Sequence, residues 1–206
     1  MKQSCLNAVF MLILVSLPRL AVAGQEVNYI VIAADQSGSM YSHGGLALQN
    51  EAMTSAIDEY VERCGDVFVV YMPWGSEPFD AVRYVLSTRE DREQFKYDLQ
   101  HVFGWKNLAG TNHGYAIANA LSEIEKIGAA EAVLLFTTDE SGKPVEAHVP
   151  DGIILFKVSI GSESTAGYLR KEFLPGRGFH QHANTADDLK HIINDVFLTA
   201  TPGCLG

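Results

Sequence analysis

Two carboxylates and three hydroxyls stand where this sequence could do chemistry. Asp35-Gln36-Ser37-Gly38-Ser39 follows the apolar run Tyr29-Ile30-Val31-Ile32-Ala33-Ala34. If that run is a buried strand, the motif is a tight loop at the strand's C-terminal end, where open α/β sheets place their ligand sites. Alternate residues then aim three oxygens one way. A hard cation such as Mg²⁺ takes oxygen ligands at about 2.0–2.1 Å in near-octahedral geometry and keeps several waters, so the loop has the composition of a cation site. Asp and Ser are also ordinary turn residues, and a five-residue match needs partners elsewhere in the chain. Thr111, in Gly110-Thr111-Asn112, and Asp139, after the apolar run Ala132-Val133-Leu134-Leu135-Phe136, are those partners. If Asp35 and Asp139 end neighbouring strands with carboxylates about 5 Å apart, they repel by roughly 3 kcal/mol at an effective dielectric near 20. A bound dication removes that cost. If Ser37, Ser39 and Thr111 bind it directly while the carboxylates act mainly through water, the ion remains a Lewis acid with room for one more anionic oxygen.

The elements that must position these groups read as strands alternating with helices. Leu46, Met53, Ile57, Tyr60 and Val61 recur at helical spacing, which predicts an amphipathic helix from about Gly45 to Arg63. Val67 to Met72 is a second strand and Ala81 to Leu86 a third. The connection through Pro73-Trp74-Gly75-Ser76-Glu77-Pro78 is too short for a helical crossover, so the third strand is an antiparallel edge. Thr88-x-x-Asp91 has the form of a capping box opening a helix with Phe95, Leu99 and Val102 on one face. A longer helix follows Thr111, its faces tracked by Ala118, Leu121 and Ile124 or Glu125. Ala132 to Phe136 is a central strand, Ser141 to Gly152 a loop, Ile153 to Ile160 a strand, Ala166 to Phe173 a short helix, and Gly178 to Gln181 a small last strand. Thr185-x-x-Asp188 caps a final helix. The pattern is α/β: a doubly wound, mostly parallel sheet with one antiparallel edge strand, in a three-layer, Rossmann-like sandwich.

The chain opens with the features of a secretory leader. Met1 to Ala23 has Lys2, an apolar core from about Leu6 to Leu17, and Ala21-Val22-Ala23 as a small-x-small cleavage site. The apolar core is about 12 residues, too short to span a bilayer, and no later segment is long and apolar enough to do so. The expected mature protein is therefore a single domain over residues 24–206, periplasmic or secreted. Cleavage removes Lys2 and Arg19 and no acid, so the net charge falls from −10 to −12. That charge argues against nucleic acid and an anionic membrane surface as partners, since both need basic patches. Cys64 and Cys204 survive cleavage, an even pair that suggests a disulfide in an exported protein. Cys64 ends the first long helix and Cys204 follows the last, so both fall at the sheet edge opposite the cation loops. Closing this loop of about 140 residues stabilises a fold by roughly 5 kcal/mol on the chain-entropy model.

Asp35-x-Ser37-x-Ser39, then Thr111, then Asp139, each at a strand end or helix start, resembles the metal-ion-dependent adhesion site (MIDAS) of the von Willebrand factor A-type domain. The resemblance runs from about Val27 to Phe197. Leu46-Ala47-Leu48-Gln49-Asn50-Glu51, Tyr71-Met72-Pro73-Trp74-Gly75 and Gly110-Thr111-Asn112-His113-Gly114-Tyr115-Ala116-Ile117 look like an exported bacterial subgroup of that superfamily. The resemblance implies that Ser37, Ser39 and Thr111 are direct or near-direct ligands of Mg²⁺ or Mn²⁺, and that Asp35 and Asp139 act through water. It further implies an adhesion-type module that captures an Asp or Glu side chain of a protein partner, and no enzyme. The sequence departs from the pattern in lacking a helix after Asp139 and in placing His43 and His113 beside the site.

Each donor has a plainer use. Thr111 could cap its helix, Asp139 could be a turn residue, and Ser37 and Ser39 could cap the turn that follows them. A different function would make Asp35 the nucleophile of a metal-dependent hydrolase or phosphatase, with His43 or His113 as acid/base. That chemistry usually wants a second Asp where this chain has Ser37, and neither a Gly-x-Ser-x-Gly elbow, a Ser-x-x-Lys nor a Gly-rich Lys loop is present. A third reading keeps the fold as a scaffold without a metal. His180-x-His182 is a possible transition-metal pair with no third ligand nearby. Trp74 and Trp105 lie in loops, as partner surface or as lids on the core.

Overall fold

The computed structural model describes residues 28–64, 66–76, 80–103, 111–139, 148–161 and 178–200, without the side chains of residues 60–64 and 178. The leader, Cys204 and with it the Cys64 to Cys204 pairing, Trp105, the stretch directly after Asp139 and the helix expected near residues 166–173 lie outside the described residues. The described chain runs β1 (Asn28–Asp35), α1 (Gly38–Ser42), α2 (Gly45–Cys64), β2 (Val67–Trp74), β3 (Val82–Leu86), α3 (Arg89–His101), α4 (His113–Ile127), β4 (Ala132–Thr138), β5 (Ile153–Ile160), β6 (Gly178–Ala183) and α5 (Ala186–Ala200).

The strands form one sheet in the order β3-β2-β1-β4-β5-β6, parallel throughout except for β3, which pairs antiparallel with β2 at one edge. The central strands are apolar along their whole length because both faces are covered. Ile30, Ile32 and Ala34 of β1 face a core with Met53 and Ile57 of α2, Phe95 and Leu99 of α3, and Ile193, Val196 and Phe197 of α5. Val31 and Ala33 face the other way, toward Ala116, Ile117, Ala120 and Ile124 of α4. Each fully buried aliphatic or aromatic side chain of this size stabilises the fold by about 1.5–3 kcal/mol. The result is a three-layer α/β sandwich.

Chain direction reverses at the centre. From β1 the chain passes outward to β2 and β3, then returns across the sheet to β4 on the other side of β1. The C-terminal ends of β1 and β4 therefore flank a topological switch point, the crevice where open sheets bind ligands. Register aligns them: Ala34 pairs with Thr137, so Asp35 stands level with Thr138 and one step from Asp139.

Three details differ from the sequence expectation. β2 continues through Pro73 to Trp74, which is 1% exposed and stacked on Phe136 with ring centroids 4.9 Å apart, so Trp74 is core rather than loop surface. The buried face of α4 is Ala116, Ile117, Ala120 and Ile124, while Ala118 faces solvent. A five-residue helix, α1, follows the Asp35 loop; it is too short for any periodic signal.

Candidate metal centre

Backbone bonding fixes the Asp35 loop before any side chain is considered. The β1 ladder runs one residue past the strand, with Gln36 N–H donating to the Trp74 carbonyl at 2.8 Å. Ser37 N–H then turns back onto Asp35 Oδ1 at 2.8 Å, an Asx-type closure that presents the next two side chains at the sheet edge. The Thr138 hydroxyl donates to Asp35 Oδ2 at 2.6 Å, and Asp35 N–H donates to Thr137 Oγ1 at 3.3 Å. Asp35 is thus fully buried with both oxygens already accepting. Burial pushes its carboxyl up to about 7, against the pull of the Thr138 and Ser37 bonds, and neighbouring Asp139 adds a smaller upward push. Desolvation outweighs carboxylate repulsion, a reversal of the weighting expected from the two charges alone.

The hydroxyl oxygens form a line to the second carboxylate. Ser39 Oγ donates to Asp139 Oδ1 at 2.8 Å. A hydroxyl has one proton, so Ser37 donates in the Ser37 Oγ to Ser39 Oγ contact of 3.0 Å. Ser37 occupies the N-cap position of α1, yet its side chain makes no capping bond; the hydroxyl is directed to Ser39 instead. That removes the capping explanation for Ser37. His43 Nδ1 lies 3.5 Å from Asp139 Oδ2 at the exposed rim.

These spacings test whether the donors fit a hard dication. Adjacent corners of an octahedron with bonds of about 2.0–2.1 Å are about 2.8–3.0 Å apart. Ser37 Oγ and Ser39 Oγ stand 3.0 Å apart, the spacing of two adjacent corners, and Asp139 Oδ1 accepts from Ser39 Oγ at 2.8 Å, as an outer carboxylate behind a ligand would. The residues fit: oxygen-only donors, two acids to balance charge, and a carboxylate whose burial disfavours ionisation without a positive partner. Among the described residues no group of three or more His, Cys, Asp or Glu could hold a metal, so a softer site has no competing cluster. The ring nitrogens of His182 contact Ser159 Oγ at 2.8 Å and Asn184 Oδ1 at 3.0 Å, tying β6 to β5 and to its own exit turn.

Asp35, Ser37, Ser39 and Asp139 are therefore brought into one hydrogen-bonded cluster. Thr111 stands half-buried on the neighbouring segment at the same edge. The cap of α4 is Asn112, not Thr111: Asn112 Oδ1 accepts from Tyr115 N–H at 3.1 Å, and Asn112 N–H donates to the Gly75 carbonyl just past β2 at 3.2 Å. Two residues on from Thr111, His113 is 1% exposed and its Nε2 lies 3.4 Å from Thr138 Oγ1. Thr137 and Thr138, which brace Asp35, are the site residues the sequence reading passed over; their position directly before Asp139 was the available signal.

No family model and no curated protein matches the chain in sequence. Solved structures do match it in fold. It is similar to a von Willebrand factor type A protein from Catenulispora acidiphila, with a TM-score of 0.60 at 16% identity over 84% of this chain and 42% of that one. It is similar to the pilus adhesin SpaC from Lactobacillus rhamnosus GG, with a TM-score of 0.65 at 10% identity over 86% of this chain and 31% of that one. It is also similar to proximal thread matrix protein 1 from the mussel byssus, solved with a zinc-occupied MIDAS motif, with a TM-score of 0.58 at 16% identity over 84% of this chain and 45% of that one. The chain spans less than half the length of each of these three proteins. At these identities the likeness is one of fold: the chain shares the fold of these structures, the von Willebrand factor type A protein among them.

Proposed function

We propose that the mature chain is an exported, periplasmic or secreted binding module that captures an Asp or Glu side chain of a protein partner through a divalent cation, Mg²⁺ or Mn²⁺. Asp35, Ser37, Ser39, Thr111 and Asp139 would hold the cation. The observation that supports this most directly is the hydrogen-bonded line of oxygens from Ser37 through Ser39 to Asp139 at the mouth of the crevice, with the two serine oxygens 3.0 Å apart. Bound there, the cation supplies a Lewis-acidic position for one outside carboxylate oxygen. The chain's own charge favours this arrangement, because a strongly acidic protein attracts an acidic side chain only through an intervening cation. The name of one similar structure, a pilus adhesin, and the zinc-occupied MIDAS of another point the same way.

Calorimetric titration of the leader-free protein with Mg²⁺ and Mn²⁺ tests the cation. Metal at a hundredfold excess over its Kd is expected to raise the unfolding free energy by about 2.7 kcal/mol, reversed by EDTA. Ser37→Ala is expected to abolish that gain while leaving the metal-free melting temperature nearly unchanged. A protein that takes up neither ion refutes the proposal. Partner capture from the native host that disappears with chelator tests the rest.

A further inference from the structure

His113 is the first residue of α4 and is sealed inside the protein, packed edge-on against the stacked rings of Trp74 and Phe136 at centroid distances of 5.5 and 5.4 Å. An imidazole in such a place is ordinarily inert packing. Here its Nε2 lies 3.4 Å from Thr138 Oγ1, and that hydroxyl lies 2.6 Å from Asp35 Oδ2. The proton count gives the arrangement a direction. A threonine hydroxyl has one proton; with Asp35 ionised, as a cation at the site would hold it, the 2.6 Å contact takes that proton, so toward His113 the same oxygen can only accept. Nε2 is then the donor of the 3.4 Å contact.

We propose that His113 is a positioning residue of the cation site: its Nε2–H pins the Thr138 hydroxyl so that the hydroxyl's proton is committed to Asp35 Oδ2, and the carboxylate is held in the orientation the cation needs. The inference rests on the reading of Asp35 as part of a cation site. Its physical basis is that donors aligned head to tail polarise one another, and that groups behind a metal site orient the groups that serve it. Trp74 and Phe136 fix the ring plane, and the helix start fixes its position, so the donor is set before the ion arrives. This gives a different use to a histidine that the sequence places beside the site, two residues after Thr111, and offers as an acid/base.

Two measurements on the full mature chain test this. The first needs no substitution: imidazole ¹⁵N–¹H correlation spectra of the Mg²⁺-loaded protein are expected to show His113 with hydrogen on Nε2. A bare Nε2 overturns the proposal. The second is Mn²⁺ affinity by calorimetry for His113→Leu, His113→Gln, Thr138→Val and the His113→Leu/Thr138→Val double variant. Loss of an outer partner typically weakens a metal site by about 10–100-fold, so His113→Leu and Thr138→Val are each expected in that range, with His113→Gln recovering most of the loss by donating through its amide. The double variant is expected to bind no more weakly than Thr138→Val alone, because a relay broken at Thr138 has nothing further to lose. Additive losses, or a His113→Leu protein that binds Mn²⁺ like wild type, overturn the proposal and leave the cation site standing. Wild-type protein that takes up no Mn²⁺ overturns the cation site, and this inference with it.

Discussion

Beneath the Asp35 loop lies a sealed set of polar side chains set apart from the Ser37, Ser39 and Asp139 oxygens. Thr137 Oγ1 accepts from Asp35 N–H and donates to Gln49 Oε1, and Gln36 Nε2 donates to the Tyr71 hydroxyl at 3.3 Å. Gln36, Gln49, Tyr71 and Thr137 are all fully buried. Thr137→Val keeps the shape of the side chain but strands a buried amide and a buried carbonyl oxygen. It is expected to lower stability by about 1–3 kcal/mol, read as a fall in the urea midpoint without a change in slope. At this scale the sequence was half legible. Asp35, Ser37, Ser39 and Asp139 stand out because carboxylates and hydroxyls directly after apolar runs have few structural reasons to be there. Thr137 and Thr138 do not stand out, because threonine is an ordinary strand former and only the β1–β4 register reveals which hydroxyl meets Asp35. His113 was visible as a residue beside the site, but its approach to Thr138 depends on how α4 sits on the sheet.

Among the elements, two helix starts were legible from spacing alone. Thr88 and Asp91 form the reciprocal capping box that their spacing announces, and Thr185 and Asp188 exchange the same pair of bonds ahead of α5. Both boxes are local and need no tertiary information. The tie between α4 and edge strand β3 is the opposite case, a contact between Glu123 and Arg83 that no spacing foretells. Glu123 Oε2 accepts from Arg83 at 2.5 Å and Oε1 from Lys126 at 2.7 Å. Burial pushes the Glu123 carboxyl up, but the Lys126 and Arg83 donors outweigh it and hold the group below its ordinary value of 4.5. A carboxyl held low in the folded state stabilises the fold above its unfolded value and loses that contribution as pH falls through the folded value. Glu123→Gln is therefore expected to cost about 1 kcal/mol at pH 7, discounted for the solvent around Arg83. The cost is expected to shrink toward zero as both proteins are acidified below 4.5, which paired thermal melts across that range would read. A gap that widens on acidification would contradict the assignment.

The whole molecule was the most legible scale. Continuous apolar runs alternating with amphipathic segments specify a sheet covered on both sides, and the short β2 to β3 connection specifies the antiparallel edge. Among the described residues no helix is long and apolar enough to cross a membrane. What sequence could not supply was the extent of β2, because Pro73 and Trp74 have the composition of a turn; Trp74 stays in the strand because Phe136 gives its ring a face to stack on. The covalent tie expected between Cys64 and Cys204 belongs to this scale as well. A thiol titration of the native mature protein is expected to find no free sulfhydryl, and two reactive thiols would refute the bridge.

The extra rung from Gln36 to Trp74 has a consequence for behaviour over time. A loop clamped to its own sheet, above a continuous hydrophobic interior, has hydrogen bonds of its own to hold its shape. Under the proposed function, loss of the ion would unclasp a tethered protein and leave the domain standing. Attachment would then be a reversible latch, set by ambient cation supply and released without the slow work of refolding.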